Sequence, residues 1–424
     1  MGVVQGQAVP SPHRTLRGPA LSPGAAAPTP GAAALLRWDD ALIEIDAQGA
    51  ITAIGPAPAD CPVPTTHPDC VLLPGLVDTH LHFPQTRVIG SASGPLLEWL
   101  ERSVFPEEAR FAEVAYAAEV AREFCDALIA QGTTCAAIYG SSHPVASAVL
   151  FAELERRGLR ATLGPALMDR NAPNEVLLEA SAALDACAAL VERWHGCDRG
   201  RLRVSIVPRF ALSCTTPLMR GAADLAAQHG LWIQTHIAEN HGEIAATAAA
   251  FPDARDYLAV YEEHGLVGAR TILAHCIWLS DSEWDRVASA DATVAHCPDS
   301  NFFLGSGRMT LGRATTRGIR VGLGTDIGAG RSFSVRRIAA SAYDNALVVG
   351  DPVDAERLLW LATTGGARAL GLGDVVGRLA PGFDADIIAV PRPRVDDAGL
   401  VDALLFRHDA PPVAATYVRG TRLA

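Results

Sequence analysis

Eight short apolar runs, each followed by a longer stretch with helical spacing, fill the middle of this chain. They are Val71–Val77, Thr133–Ile138, Arg160–Leu167, Leu202–Val207, Leu231–Ile237, Thr271–His275, Thr293–Cys297 and Ile319–Gly324. Eight alternating strand–helix units predict an α/β fold of the (β/α)8 TIM-like barrel kind. The first helix is the clearest. Phe111, Val114, Ala115, Ala118, Ala121, Phe124, Cys125 and Leu128 recur at steps of mostly three and four, which predicts one buried face. The chain ends are strand-like instead. Ala41–Ile45 and Ile51–Ile54 flank a turn at Asp46–Gly49, and Asp386–Val390 and Ala414–Val418 stand near the C-terminus. Together they predict a small β-sandwich domain built from both ends. The expected divisions are 1–72 and 380–424 for that domain and 73–379 for the barrel. The first 33 residues, rich in Pro, Gly and Ala, are expected to be poorly ordered.

A chain of 424 residues with 49% hydrophobic side chains can bury a large core, which excludes a disordered protein. Its net charge of -12 argues against nucleic acid or an anionic membrane as partner. All 35 basic residues are arginine. The absence of lysine excludes a Schiff-base lysine, a P-loop lysine and a carbamylated lysine bridging two metals. The 9 cysteines show no C-x-x-C pair, so neither a zinc ribbon nor a disulfide framework is expected, and a reducing cytoplasm is. No apolar run reaches about 18 residues, and the N-terminal stretch lacks a signal-peptide pattern.

In a barrel the chemistry sits at the C-terminal ends of the strands. The first predicted strand runs into Asp78-Thr79-His80-Leu81-His82, and histidines two apart on an extended segment point to one side. The fifth ends at His236 with Glu239 three residues on, the sixth at His275, and the eighth is followed by Thr325-Asp326. Neutral imidazoles with one carboxylate suit a divalent ion such as zinc or iron. His80, His82, His236 and Asp326 would hold one ion and leave room for a water whose pKa it lowers. Glu239 is placed to shuttle protons, and His275 to orient or polarise the water or substrate. His143, before Pro144, is a weaker pocket candidate, and His296 reads as packing.

Pro74-Gly75-Leu76-Val77-Asp78-Thr79-His80-Leu81-His82, Thr235-His236-Ile237-Ala238-Glu239, Ala274-His275-Cys276 and Gly322-Leu323-Gly324-Thr325-Asp326 resemble the amidohydrolase superfamily, in its branch that deaminates aromatic bases. Three longer strings resemble the guanine deaminase family within it: Phe83-Pro84-Gln85-Thr86 with Leu96–Leu100 and Phe105–Glu107, Pro208–Cys214, and Cys297–Gly307. The resemblance implies hydrolysis of guanine to xanthine and ammonia on one zinc, with His80, His82, His236 and Asp326 as ligands. It implies Glu239, His275 and Asp326 as catalytic groups, Gln85, Arg209 and His275 on the purine, and a homodimer. An amide such as Gln85 can donate and accept, and a guanidinium such as Arg209 can donate two parallel bonds to acceptor atoms, disfavouring the amino group of adenine. The other substrates weighed are 8-oxoguanine, another purine, a pterin or an s-triazine. A scaffold protein without activity would lack a ligand or the shuttle, and none is missing. Asp299 departs from the neutral residue more usual in the family.

Overall fold

The computed structural model describes residues 14–27, 35–59, 63, 65–92, 94–407 and 411–423. The N-terminal part supplies β1 (Arg14–Pro23), β2 (Leu35–Ile45), β3 (Ile51–Pro56), β4 (Thr65–Thr66) and β5 (Cys70–Pro74). Eight parallel strands follow: β6 (Leu76–His82), β7 (Thr133–Gly140), β8 (Arg160–Leu167), β9 (Leu202–Pro208), β10 (Trp232–Ile237), β11 (Thr271–His275), β12 (Thr293–His296) and β13 (Arg320–Leu323). The chain ends with β14 (Ile387–Pro391), β15 (Ala415–Val418) and β16 (Thr421–Arg422). The parallel strands neighbour one another in sequence order from β6 to β13, as the eight-unit alternation predicts for a (β/α)8 barrel. The remaining strands hydrogen-bond in the order β16-β15-β14-β5-β1-β2-β3, with β4 on β1. Both ends of the chain therefore build the smaller unit, as one continuous mixed sheet.

The structure differs from the sequence reading in three places. The run Val71–Val77 is two strands: β5 pairs with β14 in the terminal sheet, and the barrel strand begins only at Leu76. Gly75 separates them, and its N–H donates to Asp386 O at 2.8 Å. Within the segment expected to be poorly ordered, Arg14–Pro23 is a strand at the heart of the terminal sheet, paired with β2 and touching β5. Its Gly and two prolines weaken local strand propensity, and tertiary pairing overrides it. On the helix Val114–Gln131 the buried face is Tyr116, Ala117, Val120, Ala121, Phe124, Cys125 and Leu128. Val114 and Ala115 are exposed, because the helix only begins at Val114 and these two residues stand on the side of its first turn opposite the buried Tyr116 and Ala117.

The barrel closes between β6 and β13. Asp326 N donates to His80 O at 2.8 Å and His82 N to Ile327 O at 3.0 Å. Asp78 adds its side chain, accepting from Thr325 N at 3.0 Å and from Thr325 Oγ1 at 2.5 Å. That seam brings the ends of the first and last strands together, which sets the site. Among the described residues no helix is long and apolar enough to cross a membrane.

Candidate active site

His80 and His82 lie on the same side of β6, and their rings meet edge to face at 5.0 Å between centroids. His236 comes from β10, and Asp326 from the turn just after β13. Their metal-binding atoms all lie within 4.8 Å of one another. His82 Nε2 is 3.1 Å from His236 Nε2. Asp326 Oδ1 is 3.2 Å from His80 Nε2 and 3.3 Å from His82 Nε2. These three short separations lie close to the donor–donor distance of about 3.3–3.4 Å expected around one ion with bonds of roughly 2.0–2.1 Å. Burial pushes the His82 imidazole down to about 3 and holds His236 well below its ordinary value, so both rings are neutral. His236 Nδ1 sits 2.6 Å from Arg209 O, which directs its N–H there and turns the Nε2 lone pair inward. The donor set fits a divalent cation.

The backbone is bent where these groups leave the barrel. Ala238, His275, Cys276 and Asp326 all have φ between +49° and +70°, in the left-handed region that side chains rarely occupy. Strain of this kind costs about 1–3 kcal/mol per residue and gathers at functional sites. Next to the cluster, Glu239 Oε2 faces His275 Nε2 at 3.5 Å. Burial raises the Glu239 carboxyl to about 7, and the negative charges of Asp326 and Glu243 add to this against the pull of His275 and Ser306. For His275 burial acts downward, but the Glu239 and Asp326 carboxylates and the Asn301 acceptor outweigh it and hold the imidazole above its ordinary value.

Above the cluster a pocket is lined by His82, Gln85, Arg209, His236, Glu239 and Asp326, with Trp99, Leu100, Phe210 and Leu304 as apolar walls. Gln85 Oε1 accepts from Gly328 N at 2.9 Å, so its amide nitrogen is the atom left for the pocket, a donor. This narrows the sequence expectation that Gln85 would both donate and accept. Arg209 gives Nη1 to Glu108 Oε2 at 2.7 Å and to Met168 Sδ at 3.7 Å, which leaves Nε and Nη2 as donors. The structure thus gathers His80, His82, His236, Asp326, Glu239, His275, Gln85 and Arg209 at one mouth. His143 and His296 do not line the pocket.

Sequence reasoning missed Glu108, Asn301 and Ser306. Glu108 follows Pro106-Glu107 at a helix start, where acidic residues are ordinary. Asn301 and Ser306 lie inside the string Cys297–Gly307, quoted above without a role for either. Asp299 has a partner that the sequence does not reveal: its carboxylate accepts from Arg331 N at 2.8 Å and Arg331 Nη2 at 2.6 Å.

The guanine deaminase of Escherichia coli (strain K12) is 39% identical over 362 residues, covering 82% of this chain and 82% of its own. A probable guanine deaminase of Deinococcus radiodurans is 38% identical over 404 residues, 92% of this chain and 91% of its own. The solved guanine deaminase of C. acetobutylicum with bound guanine in the active site superposes with a TM-score of 0.90 at 27% identity, covering 97% of this chain and 100% of that one. The sequence model of the amidohydrolase family matches residues 71–423, the whole barrel and the C-terminal strands with it. With that match and those relatives, the chain belongs to the amidohydrolase family.

Proposed function

We propose that this protein hydrolyses guanine to xanthine and ammonia, with one zinc ion held by His80, His82, His236 and Asp326. The observation that carries the reading is the pairing of two donors, Gln85 Nε2 and the Arg209 guanidinium, with a Glu239–His275 pair in one pocket. Guanine presents acceptors at O6 and N7, which these donors match, whereas the 6-amino group of adenine would meet them donor to donor. The Trp99 and Phe210 rings supply flat apolar walls for a planar base. The guanine deaminase relatives support the same substrate. A divalent ion in the cage supplies Lewis acidity that brings a water's pKa toward neutrality.

The protein's own groups then do the rest. Glu239 takes a proton from the attacking water as its oxygen bonds to C2 of the base. It returns that proton to N3, and C2 becomes tetrahedral. A second proton, the one remaining on the added oxygen, passes through Glu239 to the amino nitrogen. The C2–N bond breaks, ammonia leaves, and C2 keeps a carbonyl oxygen. A carboxyl held near 7 can exist in both forms during this cycle. His275 donates toward the incoming oxygen, and Arg209 and Gln85 hold O6 while charge shifts across the ring. The enzyme works as a homodimer in the cytoplasm on this reading, supported by the family resemblance and by the 8 described cysteines, all free.

The deciding assay offers purified protein guanine, 8-oxoguanine, adenine, cytosine and ammeline and measures ammonia release. Guanine should give the highest kcat/KM by at least about tenfold. A preference for ammeline or 8-oxoguanine would replace this reading with the related deaminase.

A further inference from the structure

Glu239 and His275 enter the pocket from different strands, yet one segment touches both. Residues Cys297–Gly307 follow β12 and include the short helix Pro298–Phe303. Asn301 Oδ1 lies 2.9 Å from His275 Nδ1, and Ser306 Oγ donates to Glu239 Oε1 at 2.8 Å. Asn301 and Ser306 are both buried, and neither lines the pocket. Each contact engages one polar atom of its partner and leaves the other, so Glu239 Oε2 and His275 Nε2 are the pair that face each other at 3.5 Å.

The segment is itself held in place. Ser306 N donates to Asn301 O at 2.9 Å, and Trp278 Nε1 donates to Ser306 O at 2.9 Å. Gly307 has φ +139°, and a Cβ there would lie 2.7 Å from the Trp278 ring, so glycine is what lets the indole lie across the loop. At the other end, Asp299 is tied to Arg331 through main chain and side chain and accepts from Ser341 Oγ at 3.3 Å. A glutamate has three rotatable side-chain bonds, and facing a pocket does not fix them. The Ser306 hydroxyl does, as the Asn301 amide fixes the turn of the imidazole.

We propose that Asn301 and Ser306 are positioning residues that hold the two acid–base groups at their working separation. The proposal rests on the reading of Glu239 and His275 given above. A misplacement of about 1 Å can cost roughly a hundredfold in rate, and a hydrogen bond to a charged group is worth about ten- to a hundredfold.

The test begins with Ser306→Ala in the metal-loaded, full-length protein. The expected result with guanine is a kcat about ten- to a hundredfold lower, KM within about twofold, and metal content unchanged. Ser306→Thr, which keeps a hydroxyl, should recover most of the loss. In a Glu239→Gln background, Ser306→Ala should cost nothing further, because the group it positions no longer relays protons. An equal loss in both backgrounds, a change in KM alone, or no change would overturn the proposal. If the wild-type protein releases no ammonia from guanine, the substrate reading fails instead, and crystal structures of the zinc-loaded Ser306→Ala and Asn301→Leu proteins decide this one. A displaced Glu239 carboxyl or His275 ring supports it, and an unmoved pair at 3.5 Å overturns it.

Discussion

Arg209 and Glu108 form a buried ion pair, Nη1 to Oε2 at 2.7 Å. The other Glu108 oxygen accepts from Ser142 N at 3.0 Å, and the main-chain carbonyl of Arg209 takes the His236 Nδ1 contact at 2.6 Å. One arginine therefore connects the base pocket to the donor cluster, and a glutamate that no motif pointed to aims it. Glu108→Gln should raise KM for guanine at least about tenfold while metal content stays normal. Glu108→Ala leaves a buried guanidinium unpaired and should destabilise the fold by about 3–5 kcal/mol. Thermal melts and steady-state kinetics check both. Unchanged KM and Tm would mean that the pair positions nothing.

Direct recognition of the base is tested at Arg209 and Gln85. Arg209→Ala and Gln85→Ala should each lower kcat/KM for guanine by about thirty- to a thousandfold, as expected for losing roughly 2–4 kcal/mol of bonding at a buried contact. Metal analysis should read as wild type. A variant with full efficiency toward guanine would remove its residue from the recognition set.

Glu239→Gln keeps the size and outline of the side chain but cannot relay a proton. Folding and metal content should be preserved, with a rate at least about a hundredfold lower. Loss of metal would make Glu239 a ligand instead, and the four-residue cage would need redrawing.

Elemental analysis should find about one divalent ion per chain, the capacity of a single four-donor cage. A chelator should abolish ammonia release and zinc should restore it. Two ions per active chain would contradict the cage described here.

The Asp299–Arg331 pair predicts an acid-side stability limb. Burial pushes the Asp299 carboxyl up, but the Arg331 side-chain and main-chain donors outweigh it and hold the carboxyl below its ordinary value. A carboxylate depressed in the folded state contributes stability above the ordinary carboxylate range. That contribution is lost as pH falls below about 4 toward the folded value. Asp299→Asn should therefore flatten the fall in Tm between pH 5 and pH 3, measured by thermal melts. An identical acid limb in wild type and variant would contradict the pairing's role.

Local pattern carried much of this protein. Strand runs alternating with helical spacing specify the barrel because each run can bury itself only against its neighbours. His80 and His82 announce a shared site because period-two geometry sends both to one side. His236, His275 and Asp326 stand out because charged or polar groups at strand ends of an apolar barrel need a use. Other features were invisible from the same letters. Arg14–Pro23 is a strand only because β2 and β5 supply its hydrogen-bond partners, which override its Gly and Pro content. Glu108 meets Arg209 across 101 residues, and Ser306 meets Glu239 across 67. Such pairings depend on which side chains the closed barrel brings within about 3 Å, and a hydrogen bond leaves no periodicity in the chain. Local pattern thus sufficed for the fold class and for the cluster at the mouth of the barrel. Tertiary structure decided which residues aim and hold the groups that do the chemistry, because those contacts exist only once the loops after different strands are packed together.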